Sequence, residues 1–272
     1  MLVTQGLSPS LRATEDGVVV LSVPEEEREE ALAALSAYKI ENPVPVLEEG
    51  HGTQDPPSLL PGVVTAAVLL VSHAIVVRST VSALWFERGS ADAGRILSGE
   101  TWRAVTALTL HADLAHVLSN AAGAAVFVAA LSSILGAGIA FALFVLAGAG
   151  GNFLNAYFYG PPHVSIGAST AVFGAVGMLG GLAMAKRRKT DRRGRRRAWI
   201  PIAAALGLLA MLGSGGGRVD VLAHLFGFSF GAVLGVFVAY LAPDPPQLRA
   251  QWGWGVAALG VVIWCWTLAF SG

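Results

Sequence analysis

The sequence predicts an all-α fold: a polytopic membrane helical bundle, fronted by a small acidic cytosolic segment. Three observations predict it. Apolar residues make up 54% of the 272 and charged residues only 13%, roughly half the ~25% that a water-facing domain carries. Seven apolar stretches recur from Leu59 onward, each near the ~20 residues that cross a ~30 Å hydrocarbon layer. No ten-residue alternation marks barrel strands, and helices are the other way to satisfy the backbone in lipid.

Taken in order, the front piece comes first. Residues 1–60 hold 11 of the 18 acidic side chains against Arg12, Arg28 and Lys39. No basic stretch followed by an apolar one opens the chain, so no cleaved signal peptide is expected. Residues 17–23 read as a short strand, and Pro24 followed by EEEREEALAALSAYKI reads as a helix to Ile40, its acids placed where the helix dipole favours them. Four prolines between Asn42 and Pro57 mark a linker. The acidic block is most simply a solvated helix face.

The expected spans are 59–77, 114–131, 137–158, 168–185, 198–213, 219–241 and 252–270. A long amphipathic loop, about 79–113, follows the first. Residues 186–197 (KRRKTDRRGRRR) carry nine of the 18 bases. Flanked closely by spans, this run is read as a cytoplasmic loop rather than a nucleic-acid site, which places the N-terminus in the cytoplasm as well. Its owner fits a bacterial inner membrane. The single Cys265 excludes a disulfide within the chain.

This orientation makes the second, fourth and sixth spans run the same way, so their first residues share one depth near the outer face. The polar residues that do not belong in lipid sit there: His111, His116 and Asn120, then Ser169, then Asp220 and His224. Such residues face a bundle interior or a water cavity. A serine is a weak nucleophile until a base takes its proton, and His224 is a suitable base for Ser169. His116 and Asn120 are four apart and share a helix face, from which both can donate to a developing oxyanion. Ser169 opens its helix, where backbone N–H groups lack intrahelical partners. Stripes of Ser169, Phe173, Gly177 and Gly181, and of His224, Gly227 and Gly231, allow the two helices to approach closely. Phe173 then lies beside the imidazole.

Five pieces, in order, resemble the rhomboid intramembrane serine proteases: Trp102-Arg103; His111-x4-His116-x3-Asn120; Gly167-x-Ser169; Ala223-His224; and Gly227 with Gly231. The resemblance spans about residues 60–241. It implies a six-helix core (residues 58–242, after the segment 1–57) and an additional C-terminal helix within 243–272. It further implies cleavage of transmembrane protein substrates within the lipid bilayer, with Ser169 as nucleophile and His224 as base. Asn120, His116 and the Ser169 amide would form the oxyanion site. Two positions depart from the family pattern: Thr170 stands where Gly is common, and Phe173 stands for Tyr.

The same residues admit other readings. Asp220, four before His224, invites a triad but better caps its helix. Arg103 suits a structural anchor of the outer loop, and His111 a structural hydrogen bond. A zinc site of His111, His116 and His224 lacks a well-placed carboxylate or thiol, so no metal and no other cofactor is expected. His51, His73 and His163 have no assigned role. The alternative function is a catalytically silent rhomboid-like protein that binds membrane clients. A transporter would cluster its polar residues near the midplane. No motif speaks to oligomeric state, substrate identity or the role of residues 1–57.

Overall fold

A computed structural model of the chain describes residues 5–13, 19–41, 58–187, 207, 220–241 and 248–271. The chain divides into two compact units, residues 1–54 and 55–272.

The first unit is a hairpin and a helix. Strand β1 (Ser10–Ala13) pairs antiparallel with β2 (Val19–Ser22), Ser10 opposite Ser22. One 3-10 turn at Glu25–Glu27 leads into α1 (Arg28–Glu41). Among the described residues the expected strand ends at Ser22, one residue before Val23, and it has a partner, Ser10–Ala13, too brief to show alternation. Leu7 and Ala31 are buried together with Val23, Ala34 and Leu35 against them, and Glu25, Glu26, Glu29 and Glu30 are exposed, as a solvated acidic face requires.

The second unit is built on helices. α2 (Leu60–Arg78), α6 (Leu114–Leu135), α7 (Ala137–Tyr159), α9 (Val221–Leu241) and α10 (Leu248–Ser271) are each long and apolar enough to cross a membrane. α8 (Ser169–Arg187) is shorter in its apolar part, Ser169–Ala185. The expected fifth span, 198–213, apart from Gly207, and residues 188–197 of the basic run lie outside the described residues. Side chains such as Val63, Val71, Val233, Phe237, Val256 and Trp264 point outward and exposed. Apolar outward faces on long apolar helices suit a lipid solvent, and the unit is an integral multi-pass membrane protein.

The fold is predominantly helical, as expected, and besides the hairpin carries one short strand pair among the described residues, β3 (Ala91–Asp92) antiparallel to β4 (Val164–Ser165). The stretch expected as a loop, 79–113, is instead built of short elements. It folds into α3 (Ser82–Gly89), β3, α4 (Ala93–Leu97), α5 (Arg103–Thr106) and a 3-10 turn at Ala107–Thr109. Local caps and a buried cation, rather than apolar periodicity, build it: Asp92 accepts from the Arg95 amide at 3.0 Å. The second span also runs past 131 to Leu135, because Ser132 and Ser133 bond to carbonyls of their own helix.

The core lies around α8, where Ala171, Val172, Ala175, Val176 and Met178 meet Val117, Ala124 and Val128 of α6 and Phe144 and Ala147 of α7. Among the described helices, α8 and α9 make the most extensive pairing. A side chain at Gly231 would strike the Gly174 carbonyl, one at Gly177 the Phe228 carbonyl, and one at Gly235 the Met178 carbonyl. Two backbones in contact are what small-residue stripes permit in lipid. α10 packs on α7. Its Gln251 donates to the Leu135 carbonyl at 2.8 Å and accepts from the Ile139 amide at 3.1 Å, spanning the α6–α7 turn. At the other end Trp266 donates to Thr109 at 3.1 Å and packs on Trp85.

Candidate active site

The approach to Ser169 is set by the backbone. Gly167 has φ +115°, a conformation open to glycine at little cost. Its amide donates to the Ala107 carbonyl at 2.9 Å, and the next amide, Ala168, donates to His111 Nε2 at 3.3 Å. Ser169 then opens α8, with no carbonyl a turn earlier for its own amide.

His224 enters from α9. Asp220 caps that helix, accepting from the Ala223 amide at 3.0 Å, and one turn later His224 Nε2 lies 2.8 Å from Ser169 Oγ. Both side chains are buried, 8% and 5% exposed, so the hydrogen bond is shielded from competing water. The imidazole lies flat on Phe173, ring centroids 4.4 Å apart and planes 13° from parallel. Its Nδ1 has no protein partner among the described residues, and both Asp220 oxygens are engaged elsewhere. His224 therefore has Ser169 on one ring nitrogen and no carboxylate on the other among the described residues.

α6 supplies the other wall. Asp113 caps it through the His116 amide at 2.8 Å. His116 Nδ1 accepts from the Ala112 amide at 3.4 Å, so the neutral ring carries its proton on Nε2. That atom faces Gly167: a methyl group there would lie 2.6 Å from it and 3.8 Å from Asn120 Nδ2. Asn120, 1% exposed, donates to the His116 carbonyl at 2.9 Å. His116 and Asn120 thus flank the turn that leads into Ser169.

His111 is structural, as its bond to Ala168 indicates. It sits in the segment before α6, 1% exposed. Burial first, then the neighbouring His116 and His73 rings, push it down to about 3, only partly opposed by the Thr109 backbone nearby. It is neutral at ordinary pH.

The remaining expected residues surround the Ser169–His224 pair at a greater remove. Gly227 takes the α8 backbone at Thr170. Trp102 packs on the core. Arg103, 1% exposed, binds Glu100 at 2.6 Å and the carbonyls of Glu87 and Ser90 at 2.8 and 3.2 Å, fastening the segment between α2 and α6. Thr170 is accommodated, since its methyl faces the bare backbones of Gly151 and Gly227. His73 lies edge-on near His111. His51 is outside the described residues.

Sequence reasoning missed three polar residues near the site. Asn152 donates to the Ala104 carbonyl at 2.9 Å, and Asn155 and His163 both meet Asp220. The signal was present: two asparagines three apart in an otherwise apolar span mark an inward face.

Comparison with known proteins agrees with this architecture. Residues 98–241 match the Rhomboid domain. "Putative rhomboid protease YdcA" of Bacillus subtilis (strain 168) is 30% identical over 171 residues, covering 62% of this chain and 81% of the relative. "Rhomboid protease GluP" of the same organism is 31% identical over 100 residues, 37% of this chain and 19% of that one. "RHOMBOID-like protein 6, mitochondrial" of Arabidopsis thaliana is 32% identical over 92 residues, 34% and 30% of the two chains. With a bundle of membrane helices and a domain match over more than half its length, the chain belongs to the rhomboid family.

Proposed function

We propose that the chain is an intramembrane serine endopeptidase that cleaves membrane-protein substrates in or next to their transmembrane segments. The single observation that carries the reading is the 2.8 Å contact of His224 Nε2 with Ser169 Oγ inside a buried site. Ser169 Oγ attacks the scissile carbonyl carbon as His224 Nε2 takes its proton. The oxyanion is held by the Ser169 amide, Asn120 Nδ2 and His116 Nε2, each donor typically contributing about 3 kcal/mol of transition-state stabilisation. The C–N bond then breaks, Nε2 protonates the leaving amine, and water, activated by the same imidazole, releases the acyl group. Gly167, Phe173, Gly227 and Gly231 shape the site, and Trp102 and Arg103 hold the outer segment.

The proposed organisation is an acidic cytosolic segment (1–57), a six-helix protease core (58–242) and a further C-terminal helix (243–272). In this reading the N-terminus is cytoplasmic, the membrane is a bacterial inner membrane, and the substrate approaches beside the second and fifth spans. A fluorophosphonate probe tests the dyad directly, because an activated serine is labelled and an idle one is not. Labelling and cleavage of a single-span reporter should both vanish in Ser169→Ala and His224→Ala. Unlabelled wild type would instead favour a client-binding, silent protein.

A further inference from the structure

Asp220 does more than cap a helix. Its Oδ1 accepts from the Ala223 amide, and its Oδ2 lies 2.7 Å from both Asn155 Nδ2 and His163 Nε2. A carboxylate accepts only, so His163 carries a proton on Nε2 and Asn155 points its amide nitrogen inward. Asn155 is 1% exposed and near the end of α7. His163 lies in the segment after α7, stacked on Tyr159 with centroids 4.2 Å apart, its carbonyl accepting from the Ala93 amide at 2.9 Å.

The position of this cluster in the chain is what gives it meaning. His163 stands six residues before Ser169, on the segment that runs through β4 to Gly167, and Asp220 stands one turn before His224. The two partners of the 2.8 Å contact ride on separate helices. Among the described residues, the side-chain bond that joins the segment before Ser169 to the start of α9 is the Asp220–His163 pair. A charge-assisted bond of this length is short and directional. Its side chains are 17% and 25% exposed, which leaves the pair partly sheltered from screening.

We infer that Asp220 is a positioning residue: with Asn155 and His163 it clasps the segment leading to Ser169 onto the start of α9 and sets the Ser169–His224 distance. The inference rests on the dyad reading above. It separates from simple capping, because serine caps a helix about as well as aspartate but has no second oxygen for the clasp.

The experiment compares wild type, Asp220→Ser and the double variant Asn155→Ala/His163→Ala in proteoliposomes. Each is measured for cleavage of a single-span reporter, rate of fluorophosphonate labelling and thermal unfolding. Misplacing reacting groups by about 1 Å can cost ~100-fold, so kcat and the labelling rate should fall together by about tenfold or more in both variants. KM should stay within about twofold, since the clasp touches no substrate. Asp220→Ser with wild-type kcat overturns the inference and leaves the dyad standing. So does unfolding of both variants at the assay temperature, which would reduce the cluster to a folding element. If Asp220→Ser alone unfolds, the double variant, with its cap intact, decides by the same rates. A wild type that neither cleaves nor labels overturns the dyad and the clasp together.

Discussion

Phe173 and His224 stack nearly parallel, ring planes 13° apart, although they come from helices whose backbones touch through glycine. The phenyl ring closes one face of the imidazole and leaves it the rotation that points Nε2 at Ser169. An aromatic pair contributes about 0.5–1.5 kcal/mol beyond its buried area. Phe173→Ala should lower the fluorophosphonate labelling rate by up to about tenfold by that energy, with further loss if the imidazole turns. Phe173→Tyr should label at the wild-type rate. Labelling kinetics in detergent check both.

Gly167 is held by two independent demands, a φ of +115° and the His116 ring at its α-carbon. Gly167→Ala meets both, costing about 1–3 kcal/mol from backbone strain alone. Because the added methyl displaces His116 Nε2, the reporter cleavage rate should fall by more than a comparably destabilising substitution elsewhere would lower it. A plot of rate against unfolding midpoint places Gly167→Ala below the common line.

At the α8–α9 crossing, Gly231 faces the Gly174 carbonyl without room for a β-carbon. Gly231→Val should push the helices apart, at a cost of at least the ~1–3 kcal/mol typical of overpacking. Thr170→Gly, which opens a gap beside Gly151 and Gly227, should cost about 1 kcal/mol or slightly more for the lost methyl packing. Unfolding in mixed micelles reads both, with Gly231→Val the more damaging.

His111 makes the fold sensitive to acid. In the folded chain its pKa is lowered to about 3, against ~6.5 for an unperturbed histidine. Above pH 6.5 the ring is neutral in both states and its contribution is fully present. As pH falls below that value only the unfolded chain takes the proton, so stability drops until about pH 3. His111→Gln, which can still accept from Ala168 but does not titrate, should show a shallower decline between pH 6.5 and 3. Unfolding midpoints across that range test it.

Much of the site was legible because its members are expensive in lipid. Ser169, His116, Asn120 and His224 stood out as polar groups at one depth, and the glycine stripes announced the α8–α9 contact. What escaped notice has a different physics. The clasp of Asn155, His163 and Asp220 joins three elements distant in the chain, and no local spacing encodes it. The segment 79–113 looked like a loop since its order comes from Arg103 bonding backbone carbonyls, not from a repeating apolar face. The serines near the end of α6 looked like a boundary because their hydroxyls are polar on paper, whereas in the helix they are already bonded.

Gln251 has a consequence for how the protein is made. The Leu135 carbonyl and the Ile139 amide that it joins precede it by 116 and 112 residues. The turn closes part of itself through the Gly136 and Ala140 amides, but the Leu135 carbonyl and the Ile139 amide take their side-chain partner from a helix made more than a hundred residues later. Until α10 has been synthesised those two groups have only water or headgroups to lean on, so α10 completes a connection that α6 and α7 cannot complete between themselves.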